Sequence, residues 1–173
     1  MSFLVRLPET TYRDDALKNF RAVDPDFTLG NAQAMMWLSQ LAYETDDGDK
    51  IGRILKRFGL ELLDFGANEV FAGFFRRQAC FIVARGQSAT FIAFAGTDPL
   101  KPQDVITDLA ATQTPEGLHM GFADAVASVR SEVEKAIKSG GAGQPLFFTG
   151  HSLGGALATI SAMTCSSRAP AFS

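Results

Sequence analysis

Polar and apolar positions change rhythm along the 173-residue chain. In "TLGNAQAMMWLSQLAYE" the apolar side chains keep helical spacing. Ala34, Trp37, Leu38 and Leu41 share one face, and Thr28 or Asn31 is placed to cap it. "TDDGDK" interrupts the pattern. "IGRILKRFG" predicts a second helix, with Ile51, Ile54, Leu55 and Phe58 on one stripe and Gly59 as its stop. After Asn68 the texture turns aromatic and β-branched. "EVFAGFFRRQACFIVARGQSATFIAFAGTD" predicts strands near 70–76, 79–85 and 89–95, with a hairpin turn at Arg85-Gly86-Gln87-Ser88. "CFIVA" and "TFIAFA" are unbroken apolar runs. Strands covered on both faces of an α/β sheet carry that pattern.

A long connection with three prolines follows, "DPLKPQDVITDLAATQTPEGLHM". Connections of this length are functional or disordered. In "GFADAVASVRSEVEKAIKSGG", Phe122, Val126, Val129, Val133 and Ile137 recur at helical spacing. Arg130 with Glu134, and Glu134 with Lys138, are i,i+4 pairs on the polar side. "PLFFT" reads as a short strand, and "LGGALATISAM" as a helix that begins at once. The first 27 residues have a mixed pattern and are expected to form a loosely ordered N-terminal arm. There is no repeat or low-complexity segment. The expected organisation is a single domain over 1–173, with the arm at 1–27 and a loop segment at 98–118.

Composition narrows the function classes. Hydrophobic residues make up 46%, charged residues 20%, and the net charge is −3. This is an ordinary globular balance without the basic patch of a nucleic-acid binder. "MSFLVRLPETTYRDD" contains no apolar core of a signal peptide, and no apolar run is long enough for a transmembrane segment, so a cytoplasmic setting is the default. Cys80 and Cys165 have neither metal-ligand spacing nor disulfide density, and read as small buried hydrophobes. No cofactor and no metal are expected.

The candidate chemistry lies at the junction of "PLFFT" and "LGGALATISAM". Gly150-His151-Ser152-Leu153-Gly154 is a G-x-S-x-G between a strand and a helix. A nucleophilic serine on so sharp a turn needs nearly side-chain-free neighbours two before and two after, which Gly150 and Gly154 supply. The helix N-terminus directs free N–H groups and a positive dipole end at developing negative charge, and the Leu153 N–H is one oxyanion donor. A purely structural glycine turn would not explain why His, Ser, Leu and two glycines meet at this one junction.

"GHSLGGALA" resembles the nucleophile elbow of the class 3 lipases, the fungal-lipase-like branch of the α/β-hydrolases. "SQLAYE" resembles the family's early helix, "FIAFAGTD" its F-R-G-T strand and loop, and "DVITDL" with "HMGFADAV" its lid region and following helix. The resemblance runs from about residue 30 to 163, and departs from the family at Ala95, where an arginine is usual. It implies the N-terminal part of an α/β-hydrolase fold, with a mainly parallel sheet flanked by helices and an N-terminal antiparallel portion. It implies a serine carboxylester hydrolase of triacylglycerol lipase or carboxylesterase type, acting on lipid esters through an acyl-enzyme on Ser152. Thr97 would be the second oxyanion contributor. Val105, Ile106 and Leu109 would form the apolar face of a lid that opens at a lipid–water interface.

One part of the machinery is missing. A serine hydroxyl needs a base to take its proton, and in this fold the triad runs Ser, then Asp or Glu, then His. After Ser152 the chain contains none of these. His151 is adjacent to the serine, and its side chain leaves a sharp elbow in another direction, at a position where the family has a packing residue. His119 falls at a structural position of the family's H-x-G-F. Asp98, Asp104, Asp108 and Asp124 read as solvated or structural carboxylates. The expectation is a chain truncated after the elbow and inactive as it stands. The alternative role is lipid or protein binding, with non-specific self-association through the edge of the "PLFFT" strand.

Overall fold

The computed structural model describes residues 6–24, 26–72, 75–96 and 144–166, with separate helical positions between 127 and 138. Helix α1, Leu29–Leu41, starts at Thr28, whose hydroxyl accepts the Asn31 N–H at 3.0 Å. Asn31 has a different task. Its side chain bonds the Arg21 backbone in both directions and ties the preceding segment to the helix. A single 3-10 turn, Ala42–Glu44, follows. Helix α2, Gly48–Arg57, begins inside the polar break: Asp47 caps it by accepting the Lys50 N–H. Ile51, Ile54, Leu55 and Phe58 are all buried, and Gly59 closes the helix at a φ of 74°.

Among the described residues four strands form one sheet in the order β1-β2-β3-β4: β1 Leu60–Ala72, β2 Phe75–Gly86, β3 Ala89–Phe94 and β4 Leu146–Gly150. The predicted first strand, 70–76, is corrected. β1 starts at Leu60, and Phe75 already belongs to β2. The stretch Leu60–Ala67 contains no β-branched residue, so its strand character comes from pairing with β2, including the cross-strand ion pair Glu61–Arg85 at 2.8 Å. The β2–β3 turn places Gln87 and Ser88 at φ 52° and 61°, the two positive values that a tight two-residue hairpin needs.

The α/β class stands, as a mixed sheet flanked by helices. The expected N-terminal antiparallel portion is present and makes up most of the described sheet. Among the described residues β1–β2 and β2–β3 pair antiparallel, and only β3–β4 is parallel. The first three strands follow one another through short turns, whereas β4 lies some fifty residues beyond β3, a connection long enough for a crossover.

Both faces of the sheet are covered, as the unbroken apolar runs predict. Ile82, Ala84, Phe91 and Ala93 pack with α1 and α2. Phe81, Val83, Ile92 and Phe94 pack on the other face with Val133, Leu157 and Ala158. Alternate positions of β2 and β3 therefore feed two different cores.

The N-terminal arm is a further correction. Tyr12, Ala16, Leu17 and Phe20 are buried in the first core. Phe20 meets Phe91 and Phe147 edge-on, both at a centroid distance of 5.0 Å. Glu44, 2% exposed, fastens the same segment by accepting the Leu7 N–H and the Tyr12 hydroxyl, each at 3.0 Å, and by pairing with Lys50 at 2.8 Å. These four fall at i, i+4, i+5 and i+8, one-sided spacing that successive turns, with Ala16 N–H donating to Arg13 O and Phe20 N–H to Leu17 O, present to the core.

Candidate active site

β4 ends at Gly150, and helix α3, Leu153–Ser166, begins three residues later. Ser152 lies between them at a φ of 54°, a left-handed conformation costing about 1–3 kcal/mol for a residue with a Cβ. Gln87 and Ser88 owe their positive φ to a hairpin. Ser152 owes its own to the reversal from strand to helix. Both it and His151 are exposed. The flanking glycines are required by contact. A Cβ on Gly150 would lie 2.1 Å from the Gly154 carbonyl oxygen, and one on Gly154 would lie 2.4 Å from that of Phe94. The helix closes its first turn with Gly154 N–H donating to His151 O and Gly155 N–H to Ser152 O. Leu153 heads that turn, so its N–H lies at the positive end of the helix.

Gly96, two residues beyond β3, reaches the same point. A Cβ there would lie 2.5 Å from the His151 carbonyl oxygen and 3.3 Å from Ser152 Cβ. The structure thus brings together the end of β3, the end of β4 and the start of α3. Of the residues singled out from sequence, Gly150, His151, Ser152, Leu153 and Gly154 lie at this junction. Thr97, Val105, Ile106, Leu109 and His119 lie outside the described residues, as do Asp98, Asp104, Asp108 and Asp124.

Tyr43 is the site residue that sequence reasoning missed. It sits on the 3-10 turn after α1, with its hydroxyl 3.0 Å from His151 Nδ1. The Gly96 backbone comes up against the same hydroxyl, which would lie 2.6 Å from a Cβ on Gly96. Burial pushes the phenol above its ordinary pKa, against a smaller lowering effect of the Gly96 backbone. His151 is an exposed ring held by a phenol. The available signal was the tyrosine of "SQLAYE", one of only two tyrosines in the chain.

This arrangement is a strand–elbow–helix with a second strand end pressed against the serine. Residues 91–171 match the family of class 3 lipases. The matched residues include most of β3, all of β4 and the elbow. Two solved lipases share the fold. The Rhizomucor miehei triacylglyceride lipase superimposes with a TM-score of 0.59 at 20% identity, over 85% of this chain and 59% of that one. The lipase from Rhizopus microsporus var. chinensis superimposes with a TM-score of 0.56 at 18% identity, over 82% of this chain and 53% of that one. The chain spans little more than half the length of these lipases. A comparison with curated proteins found no match.

Beside the elbow, a cleft of about 720 Å³ runs between β4 and α3. Phe148, Thr149, Ala158 and Thr159 line it, with the exposed Met163. Among the described residues, no group of three or more His, Cys, Asp or Glu could hold a metal ion, and no helix is long and apolar enough to cross a membrane.

Proposed function

We propose that this chain carries the nucleophile half of a lipid-ester hydrolase of the class 3 lipase kind. The observation behind this reading is Ser152 at positive φ on a strand–helix elbow, with Gly96 against it. Ser152 Oγ would attack the ester carbonyl. The negative oxygen would be held by backbone N–H groups of Leu153 and Thr97, and the alcohol would leave as an acyl-Ser152 forms. Val105, Ile106 and Leu109 would supply the apolar lid face toward lipid.

The base is not found among the residues after Ser152, which include no Asp, Glu or His. The 173 residues by themselves are therefore expected to show no ester turnover above a Ser152→Ala control. The same observation supports a second reading, in which the 173 residues only bind lipid or protein.

External imidazole separates the two. Incubated with imidazole and p-nitrophenyl butyrate, the chain should gain one butyryl group on Ser152. The Oγ–carbonyl bond forms, imidazole takes the hydroxyl proton, and p-nitrophenolate leaves. Deacylation also needs a base held in place, so the ester should persist long enough for mass spectrometry. Acylation that survives Ser152→Ala unchanged would exclude the nucleophile reading.

A further inference from the structure

Three elements meet at Ser152 from distant parts of the chain: the turn after α1, the end of β3 and the elbow. Tyr43 touches the other two. Its hydroxyl lies 3.0 Å from His151 Nδ1, across 108 residues of sequence. A Cβ on Gly96 would come within 2.6 Å of the same hydroxyl, so only glycine allows this approach.

We propose that Tyr43 is a positioning residue, which braces the Gly96 turn against the elbow and holds His151 as its Nε2–H tautomer. The hydrogen-bond order follows from the donors available. The Gly96 backbone crowds the phenol oxygen from the other side, where a Cβ would come within 2.6 Å. The phenol keeps its own proton, since burial opposes the phenolate, and it donates that proton to His151 Nδ1. With Nδ1 accepting, the neutral ring carries its proton on Nε2.

The brace spans the two segments that carry the proposed oxyanion donors: Leu153 follows His151 by two residues, and Thr97 follows Gly96 by one. Its purpose rests on the proposed hydrolase reading, but its geometry does not. A tyrosine that merely filled space would bury its ring and leave His151 free to exchange tautomers. This chain hydrogen-bonds the hydroxyl to His151 and brings Gly96 against it.

Long-range ¹H–¹⁵N spectra of the labelled 173-residue chain test the inference. In the parent chain His151 should be a single Nε2–H tautomer, with Nδ1 in the acceptor range. A His151 ring protonated on Nδ1, or averaging between tautomers, would overturn the proposal without any variant. Tyr43→Phe should release the ring into a tautomer mixture. It should also speed amide exchange at Gly96 about two- to tenfold, since the turn loses a brace worth about one ordinary hydrogen bond. Unchanged exchange and an unchanged tautomer in a folded Tyr43→Phe chain would reduce Tyr43 to packing. Ser152→Ala should leave both signals as in the parent chain. A failed butyrylation test would leave them unaffected, so the two readings fail separately.

Discussion

Gly154→Ala and Gly52→Ala are the same substitution on two helices, and the structure gives them opposite signs. Each adds a methyl group and gains helix propensity, worth about 0.8–1 kcal/mol over glycine. At Gly52, within α2, the new Cβ would meet nothing within 4 Å. The gain stands there, and the thermal midpoint should rise by about 2–4 °C for a chain of this size. At Gly154 the Cβ would lie 2.4 Å from Phe94 O and 2.8 Å from the Ala95 carbonyl carbon and oxygen. Ordinary contact is about 3.5 Å, so the gap is short by about 1 Å. Phe94 belongs to β3, which is paired on both sides, so its carbonyl cannot shift without straining β2 or β4. Overpacking of this kind costs about 1–3 kcal/mol, which outweighs the propensity gain in most of that range. The net loss should lower the midpoint by about 2–6 °C. Differential scanning calorimetry of both variants beside the parent decides the matter. If Gly154→Ala melts at or above the parent temperature, the close crossing of α3 over β3 is wrong.

Phe20→Ala tests whether the N-terminal segment is core. With edge-on contacts to Phe91 and Phe147, it should cost about 3–5 kcal/mol in urea unfolding, and a loss below about 1 kcal/mol would return 1–27 to a loose arm. Glu9 is hydrogen-bonded by Arg53, which holds its carboxyl below the ordinary value of 4.5. A depressed folded pKa contributes stability above the unfolded pKa and loses it as pH falls through the folded one. Glu9→Gln should therefore flatten the parent's loss of stability below about pH 4.5, least of all in 1 M salt, and a parallel acid limb would argue against it. In a chain that carries a downstream Asp and His, Ile106→Asp should lower activity on emulsified lipid about tenfold more than on a soluble short ester. Equal losses on the two substrates would mean the segment is no lid.

What the sequence determined by itself was local. The stripe of Ile51, Ile54, Leu55 and Phe58, the Thr28 cap, the turn at Gln87-Ser88 and the elbow at Ser152 each depend on residues a few positions apart, so spacing and side-chain type reveal them. The unbroken run "TFIAFA" also disclosed that β3 would be covered on both faces. Tertiary structure decided the rest. β1 was hidden from Leu60 to Ala67 because its strand state comes from hydrogen bonds to β2 rather than from its own preferences. The burial of Tyr12, Leu17 and Phe20 was hidden because so few apolar positions among polar neighbours do not say which distant elements, α1, α2 and β3, they will cover. Tyr43 became a site residue only when the chain brought it within 3.0 Å of a histidine 108 positions away. Spacing along the chain records local geometry, while a contact between distant segments is set by how the layers pack, and no short stretch of residues carries that information.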